Sequence, residues 1–379
     1  MFKIKERSKK VNMNKSFKYR LYPNNQQQIL LKKTFGCCRF IYNKMLADKI
    51  AYYQETKQVL KNTPAQYKSE FEWLKEVDSL ALANEQMHLQ SAYLNFFRNP
   101  KIGFPKYKSK KFDNKSYTTN NVNNSIKVVS SNHIQIPKLG VVRFIEHRRI
   151  PKDYIIKSAT ISQSASGRFY ISVLTEFDYE IPDIDLDKSK SIGLDYSSHD
   201  FYVDNQNRSP ENFQHLYRNS EYRLAKEQRK LSRMKLHSAN YEKQKIKVAK
   251  IHEKIQNQRK DFIEKESTKL ANLYDIVCIE DIDLQNIAQS LRLGKSTNDN
   301  GFGMFRTRLQ QKLEYQGKKL VKIDKWFPSS KICRFCGCIN SELKLSDRMW
   351  TCDCGQLINR DENAAINILN EGLRLLYNQ

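Results

Sequence analysis

Three acidic residues stand where an acid is costly. Asp195 follows the apolar run Ile192-Gly193-Leu194, and Glu280 ends the run Ile276-Val277-Cys278-Ile279. Asp361 opens a stretch whose Ala364, Ala365, Ile368 and Leu369 are spaced to pack inward. A carboxylate beside buried backbone loses hydration and needs a partner or a cation. Metal-dependent phosphodiester cleavage has a use for such acids. It takes two hard cations about 3.5–4 Å apart, one activating water and one stabilising the leaving oxygen, held by carboxylates from distant chain positions. Magnesium or manganese suits oxygen ligands of this kind. Taken singly, each acid also has an ordinary role, Asp361 as a first-turn helix residue and Glu280 as an exposed strand end. Spacing leaves neighbours in competition: Asp204 for Asp195, Asp281 or Asp283 for Glu280, and Glu362 for Asp361.

A second chemistry lies between. Five of the eight cysteines fall between positions 333 and 354, and Cys333-x-x-Cys336-Gly and Cys352-x-Cys354-Gly form two knuckles. Each glycine permits the tight turn that brings backbone amides toward the sulfurs. Four thiolates in two close pairs make a tetrahedral zinc site that is closed to water, hence structural. The second pair is one residue shorter than the commoner spacing, and Cys338 is near enough to substitute as a ligand. Cys37, Cys38 and Cys278 read as small buried apolar residues. Clustered thiols fit a reducing compartment better than a disulfide scaffold.

The charge indicates the partner. With 66 Lys and Arg against 41 Asp and Glu, the chain of 379 residues has a formal charge of +25, which suits a polyanion. Lys106, Lys108, Lys110, Lys111 and Lys115 interleave with Tyr107, Phe112 and Tyr117, combining phosphate attraction with rings for base stacking. Arg223, Lys226, Arg229, Lys230, Arg233 and Lys235 crowd one helical stretch, where their repulsion is relieved by a polyanion alongside. No run approaches the roughly 18 apolar residues needed to span a bilayer, and the basic start MFKIKERSKK is not followed by a signal-like apolar stretch. The expectation is an intracellular, nucleoid-associated protein of a prokaryote with no membrane partner.

The elements that must position these residues follow from periodicity. Residues 14–120 begin mostly helical, and 104–121 read as a basic loop broken by Pro105. Residues 16–23, 133–145 and 157–177 alternate as antiparallel strands, the last pair turning at Ser164 to Gly167. An acidic linker, 178–190, marks the main boundary. Beyond it, the strand 191–197, two helices within 220–273, the strand 275–281, a glycine-containing loop (Gly294, Gly301, Gly303), a helix near 304–316, the strand 318–326 and a final helix from Asp361 alternate as in an α/β domain.

With these residues in place, the chain resembles the TnpB family of transposon-encoded, RNA-guided DNA nucleases, relatives of miniature type V CRISPR effectors. The resemblance covers nearly the whole length from Asn14. It rests on YRLYPNNQQ (19–27), FGCCRFIYN (35–43), FPKYKSKK (104–111), KSYTTNN (115–121), GLDYS (193–197), RKLSRMK (229–235), VAKIHEKIQNQRKDF (248–262), IEDIDLQNI (279–287), FPSSKICRFCG (327–337) and RDENAAINIL (360–369). It implies that the family's metal-binding acids are Asp195, Glu280 and Asp361. It implies an α+β multidomain fold: a β-barrel wedge domain over 14–185 with a helical recognition domain inserted at about 25–120, then an RNase H-like (RuvC) domain over 190–379 carrying a zinc ribbon at 328–358. It implies a guide RNA made from the transposon end, a short flanking motif, and cleavage of double-stranded DNA that pairs with the guide. A guided repressor that does not cut, or a CRISPR-associated effector, are the alternatives. The short second knuckle departs from the family pattern, as does the leading MFKIKERSKKVN, which would reflect an upstream choice of start at Met1 rather than Met13.

Overall fold

The computed structural model describes residues 9–111, 115–283, 301–344 and 346–378, so residues 1–8, Phe112 and Gly294 lie outside the described residues. The described residues divide into two compact units, one within 12–179 and the other within 180–378 together with residues 9–11.

The first unit is a curled seven-stranded sheet with two helices inserted after its first strand. Strand β1 (Lys9–Tyr22) enters helix α1 (Asn25–Thr56). That helix starts where Asn24 and Gln27 form a reciprocal capping box, and it stops at Lys57, whose φ of 58° is left-handed. Helix α2 (Ser79–Arg98) starts on Asp78, which accepts from the Leu80 amide. The strands that follow are β2 (Ser116–Asn120), β3 (Lys127–Ser130), β4 (His133–Ile136), β5 (Gly140–Ile145), β6 (Ile155–Gln163) and β7 (Phe169–Ile181). The sheet order is β2-β6-β7-β1-β5-β4-β3, which runs from edge to edge where a closed barrel was expected. Phe17, Tyr19 and Leu21 of β1 share one core with Leu31, Ile41 and Met45 of α1 and with Phe144 and Ile171.

Two expectations change here. The basic loop ends at 115, because Ser116–Asn120 pairs with β6 as an edge strand; its Ser-Tyr-Thr-Thr run alternates between faces. The linker is shorter than read, because β7 continues through Glu180 and Ile181 before Pro182 breaks it.

The second unit holds a four-stranded sheet, β11-β10-β8-β9. Strands β8 (Ser191–Ser197), β10 (Ile276–Glu280) and β11 (Lys319–Ile323) are parallel, and β9 (Phe201–Asp204) returns antiparallel to β8. Between β9 and β10 lie α3 (Leu216–Ser232) and α4 (Ala239–Leu273), the two helices expected from the pattern; α5 (Phe302–Tyr315) precedes β11. A short hairpin, β12 (Met349–Thr351) with β13 (Leu357–Asn359), leads into the last helix, α6 (Arg360–Tyr377).

Both faces of the sheet are covered, as a parallel sheet requires. Ile192, Leu194, Val277 and Ile279 pack with Ile263, Leu270, Phe302 and Phe305 from α4 and α5. Ile276, Cys278 and Ile323 pack with Ile368 of α6 on the opposite face. Because strand side chains alternate, Gly193 and Asp195 share the face of Cys278 and Glu280, which is the face of α6.

Candidate active site and zinc site

Two glycines bring α6 onto that face. A Cβ at Gly193 would meet the Ala365 carbonyl oxygen at 2.1 Å, and one at Gly372 would meet the Cys278 sulfur at 2.3 Å. The helix therefore lies against β8 and β10 at a spacing that only hydrogen side chains permit. Its first turn is fixed by Asn359, whose side-chain oxygen accepts from the Asp361 and Glu362 amides at 3.1 and 3.2 Å. Residues Ile279 and Leu194 are register partners, so Glu280, which ends β10, lies level with Asp195 in the adjacent parallel strand β8.

The result is a convergence of Asp195, Glu280 and Asp361. Burial pushes the Asp195 carboxyl well above its usual range, and the nearby carboxylates of Glu280 and Asp361 push it further. Burial also raises Glu280, opposed by the hydroxyl that Ser329 donates to it. Asp361 forms an ion pair with Arg348 at 2.7 Å. Among the described residues none donates a hydrogen bond to the Asp195 carboxylate. An all-oxygen set of acids gathered about Asp195, whose carboxylate lacks a donor, fits hard divalent cations.

The competing neighbours have other partners. Asp204 is buried, ion-paired to Arg208 at 2.8 Å and capping its own turn through the Gln206 and Arg208 amides. Asp281 pairs with Arg306 at 3.2 Å, and Glu362 with Arg334 at 2.8 Å. Asp283 lines a cavity of about 590 Å³ with Asp281, Asp324 and Lys322, beside the strand ends.

The four sulfurs of Cys333, Cys336, Cys352 and Cys354 lie within 4.8 Å of one another. Each knuckle turns at a glycine of positive φ, Gly337 at 78° and Gly355 at 83°, whose amides donate to the Cys333 and Cys352 carbonyls. Cys338 is outside the group, and its carbonyl accepts from the Cys333 amide at 2.8 Å instead. Burial raises the Cys333 thiol, but amide donors at Cys336 and Phe335 bring it down to about 7. Burial lifts the thiol of Cys37 to about 11, that of Cys278 to about 12 and that of Cys38 well above its usual range.

The cysteine module is bolted to the acids. Asn363 accepts from the Arg334 amide and donates to the Ile332 carbonyl at 2.7 Å, while Asn367 donates to the Ser329 and Ile332 carbonyls at 2.7 Å. Sequence reading missed Ser329, Asn363, Asn367 and Arg348. The signals were two asparagines one helical turn apart on an inward face, and a serine beside a proline in the Phe-Pro-Ser-Ser run.

Of the proposed nucleic-acid contacts, Lys106, Lys110 and Lys111 are exposed, as are Arg223, Arg229 and Lys230 on α3 and Arg233 at its cap. Lys108 is different. It is half-buried, ion-paired to the buried Glu85 at 2.6 Å and set over the Tyr42 ring, while Asn43 holds its backbone by two bonds of 2.8 Å. Tyr117 is a correction: it is 2% exposed, faces the core and packs on Phe35, so no base can stack on it. The exposed rings lie just before it, with Phe97 72% exposed and Phe104 and Tyr107 also open to solvent. Tyr93, Phe96, Phe97 and Phe104 form one ring cluster at the end of α2. The density of aromatics in Asn95-Phe-Phe-Arg-Asn-Pro was the available signal.

Known sequences and structures resemble this chain along most of its length. A family model described as "Probable transposase" matches residues 176–291, one described as "Cas12f1-like, TNB domain" matches 302–368, and one described as "Helix-turn-helix domain" matches 13–58. A Streptomyces pristinaespiralis protein named "Putative RNA-guided DNA endonuclease" is 35% identical over 369 residues, covering 95% of this chain and 90% of that one. The chain belongs to the TnpB family. An Escherichia coli relative, "Putative RNA-guided DNA endonuclease InsQ", is 29% identical over 388 residues, covering 95% and 93%. The fold is shared with the protein in a cryo-EM structure of a Cas12f1-sgRNA-target DNA complex, at a TM-score of 0.58 and 14% identity over 95% of this chain and 99% of that one. In this TnpB chain, residues 13–58 form a strand and a single long helix, not two helices joined by a turn.

Proposed function

We propose that the chain is an RNA-guided DNA endonuclease that cuts guide-complementary double-stranded DNA at Asp195, Glu280 and Asp361. The observation that carries this reading is the meeting of the three acids on one face of the sheet, with Asp195 raised by burial and further by its two neighbours. The order β9-β8-β10-β11, antiparallel and then parallel, supports an RNase H-type (RuvC) domain over residues 190–379, and the open sheet with its inserted helices supports a wedge and recognition region over 14–185. Relatives of nearly the same length carry the name of RNA-guided DNA endonucleases.

The three acids would hold magnesium or manganese, which supplies an activated water and neutralises charge at the leaving oxygen. The chain's own residues do the positioning. Gly193 and Gly372 let α6 bring Asp361 to the strand ends, and Ser329 orients Glu280. Cys333, Cys336, Cys352 and Cys354 would hold structural zinc, keeping residues 328–358 folded against α6. The exposed cations on α3 and in 106–111 grip phosphates, while base pairing with an RNA from the transposon end supplies sequence and protein contacts read a short flanking motif.

No helix among the described residues is long and apolar enough to cross a membrane. The test is to purify the chain with a transcript of the DNA that follows its gene and to offer matched plasmid DNA, flanked by a randomised motif, with magnesium. Linear product is expected; intact plasmid across the whole motif library overturns the proposal.

A further inference from the structure

Helix α2 carries one acid, Glu85, and buries it: the side chain is 2% exposed. Taking an ionised carboxylate out of water is costly, and pairing it with a cation recovers that cost only in part. Burial by itself would raise the Glu85 carboxyl, but hydrogen bonds from His88 and Lys108 hold it below its usual range, so it stays charged. Lys108, 23 positions on, reaches one oxygen at 2.6 Å, and His88, one turn along α2, lies 3.4 Å from the other.

Lys108 belongs to a segment, 104–111, that is part of no helix or strand. Several contacts tie it down. Phe104 sets its ring 5.5 Å from those of Tyr93 and Phe96, and Pro105 is buried. The Lys108 amide donates to the Asn43 side chain and the Lys108 carbonyl accepts from it, both at 2.8 Å. Lys106, Tyr107, Lys110 and Lys111 are exposed.

These contacts differ in what they recognise. Asn43 bonds a backbone amide and carbonyl, groups that every residue here but Pro105 offers, so it does not choose which residue it holds. The side-chain socket does choose. It sets the Glu85 carboxylate and the Tyr42 ring, 4.6 Å from the ammonium, around a single lysine. Without the carboxylate the socket is apolar, and Tyr107, one position out of register, would enter it at a gain. A buried ion pair adds little stability over apolar residues of similar volume; its best-attested service is to fix register.

We propose that Glu85 is a positioning residue: by burying Lys108 it sets the register of 104–111, and so turns Lys106, Tyr107, Lys110 and Lys111 toward the phosphodiester backbone of bound nucleic acid. The inference rests on the RNA-guided reading and deepens it, because the grip then depends on a side chain that never touches nucleic acid.

The test is a mutant cycle on the full chain. Two fluorescent probes are titrated by anisotropy: a transcript of the DNA following the gene and, with the RNA-loaded chain, a matched DNA duplex. Melting curves confirm that each variant is folded. Glu85→Leu removes the selector and keeps every lysine, and is expected to weaken binding about tenfold. Glu85→Gln, close to it in shape, serves the same arm should the leucine variant not fold. Adding Lys108→Met to Glu85→Leu gives the socket an apolar side chain at the right position and should restore affinity to within about twofold of wild type. Charge alone predicts the reverse of both results, since the first change removes an acid and the second a cation. Loss and rescue with either probe support the proposal and name the strand held. Affinity at or above wild type for both probes in folded Glu85 variants overturns it. So does a double variant weaker than the single, which would make Lys108 itself a phosphate contact. A wild-type chain that binds neither the transcript nor, once loaded, the duplex overturns the RNA-guided reading itself.

Discussion

Gly193 and Ala365 touch so closely that a methyl group on the glycine would lie 2.1 Å from the alanine's carbonyl oxygen. The obstacle is backbone, which cannot swing aside as a side chain can. Gly193→Ala should therefore displace α6 and with it Asp361. Overpacking costs about 1–3 kcal/mol, and a shift of about 1 Å at a reacting centre costs about 100-fold in rate. A thermal melt and a plasmid-cutting time course check both, and unchanged cutting would show that α6 is not held by this contact.

Asp195 carries a sign that can be tested in the metal-free chain. Burial and two neighbouring carboxylates raise its folded-state pKa, so the folded chain binds a proton that the unfolded chain releases. Stability is then lost as pH rises from the ordinary carboxylate range through the raised value. Glu280 shifts the same way, again chiefly by burial. With chelator present, Asp195→Asn should melt higher than wild type at neutral pH and lose that advantage in acid. The same variant should abolish cutting and leave RNA affinity intact, since gripping phosphate and neutralising a reacting one fall to different residues. A variant that melts lower at every pH would remove the claim of carboxylate crowding.

Ser329 donates to Glu280, and its own carbonyl accepts from Asn367. Removing a partner that orients a metal ligand typically costs about 10–100-fold in metal affinity or activity. Ser329→Ala should shift the manganese dependence of cutting to higher concentration by that factor, with little change in melting. Manganese binding followed by electron paramagnetic resonance gives the same comparison without turnover.

Zinc removal should reach the acids through Asn363 and Asn367, whose side chains hold the backbone at Ile332 and Ser329. Cys336→Ser is expected to abolish stoichiometric zinc by elemental analysis and to lower cutting, because the first turn of α6 loses its anchor. Hydrogen exchange should rise at residues 360–367 in that variant. Protection there equal to wild type would sever the proposed link.

How much of this was readable depends on the range of the cause. Strand and helix placement in the second unit followed local pattern: Ser191–Ser197 alternates around Asp195, and Asn359 with the acids after it opens α6. The two knuckles announced themselves because ligand spacing is local too. What pattern could not give was any contact made across the sheet. Gly193 and Gly372 look like ordinary glycines until α6 is laid on β8 and β10. Lys108 looks like its neighbours until Glu85, 23 positions earlier, meets it. Tyr117 was misread because a lysine-rich flank concealed a two-residue alternation only five residues long.

That misreading yields the last expectation. Tyr117 lies in the core against Phe35, so Tyr117→Ala should cost about 3–5 kcal/mol as large buried aromatics do, lowering the melting temperature without changing the nucleic-acid affinity of folded protein. Phe97 sits 72% exposed among rings and cations, so Phe97→Ala should leave stability within about 0.5 kcal/mol. If that ring stacks on a base, its loss weakens binding by about 1–3 kcal/mol, roughly five- to 150-fold. Melting curves and anisotropy on the two variants separate the roles. Should Tyr117→Ala melt like wild type and bind poorly, the ring would belong at the surface after all, and the pairing of Ser116–Asn120 with β6 would have to be abandoned.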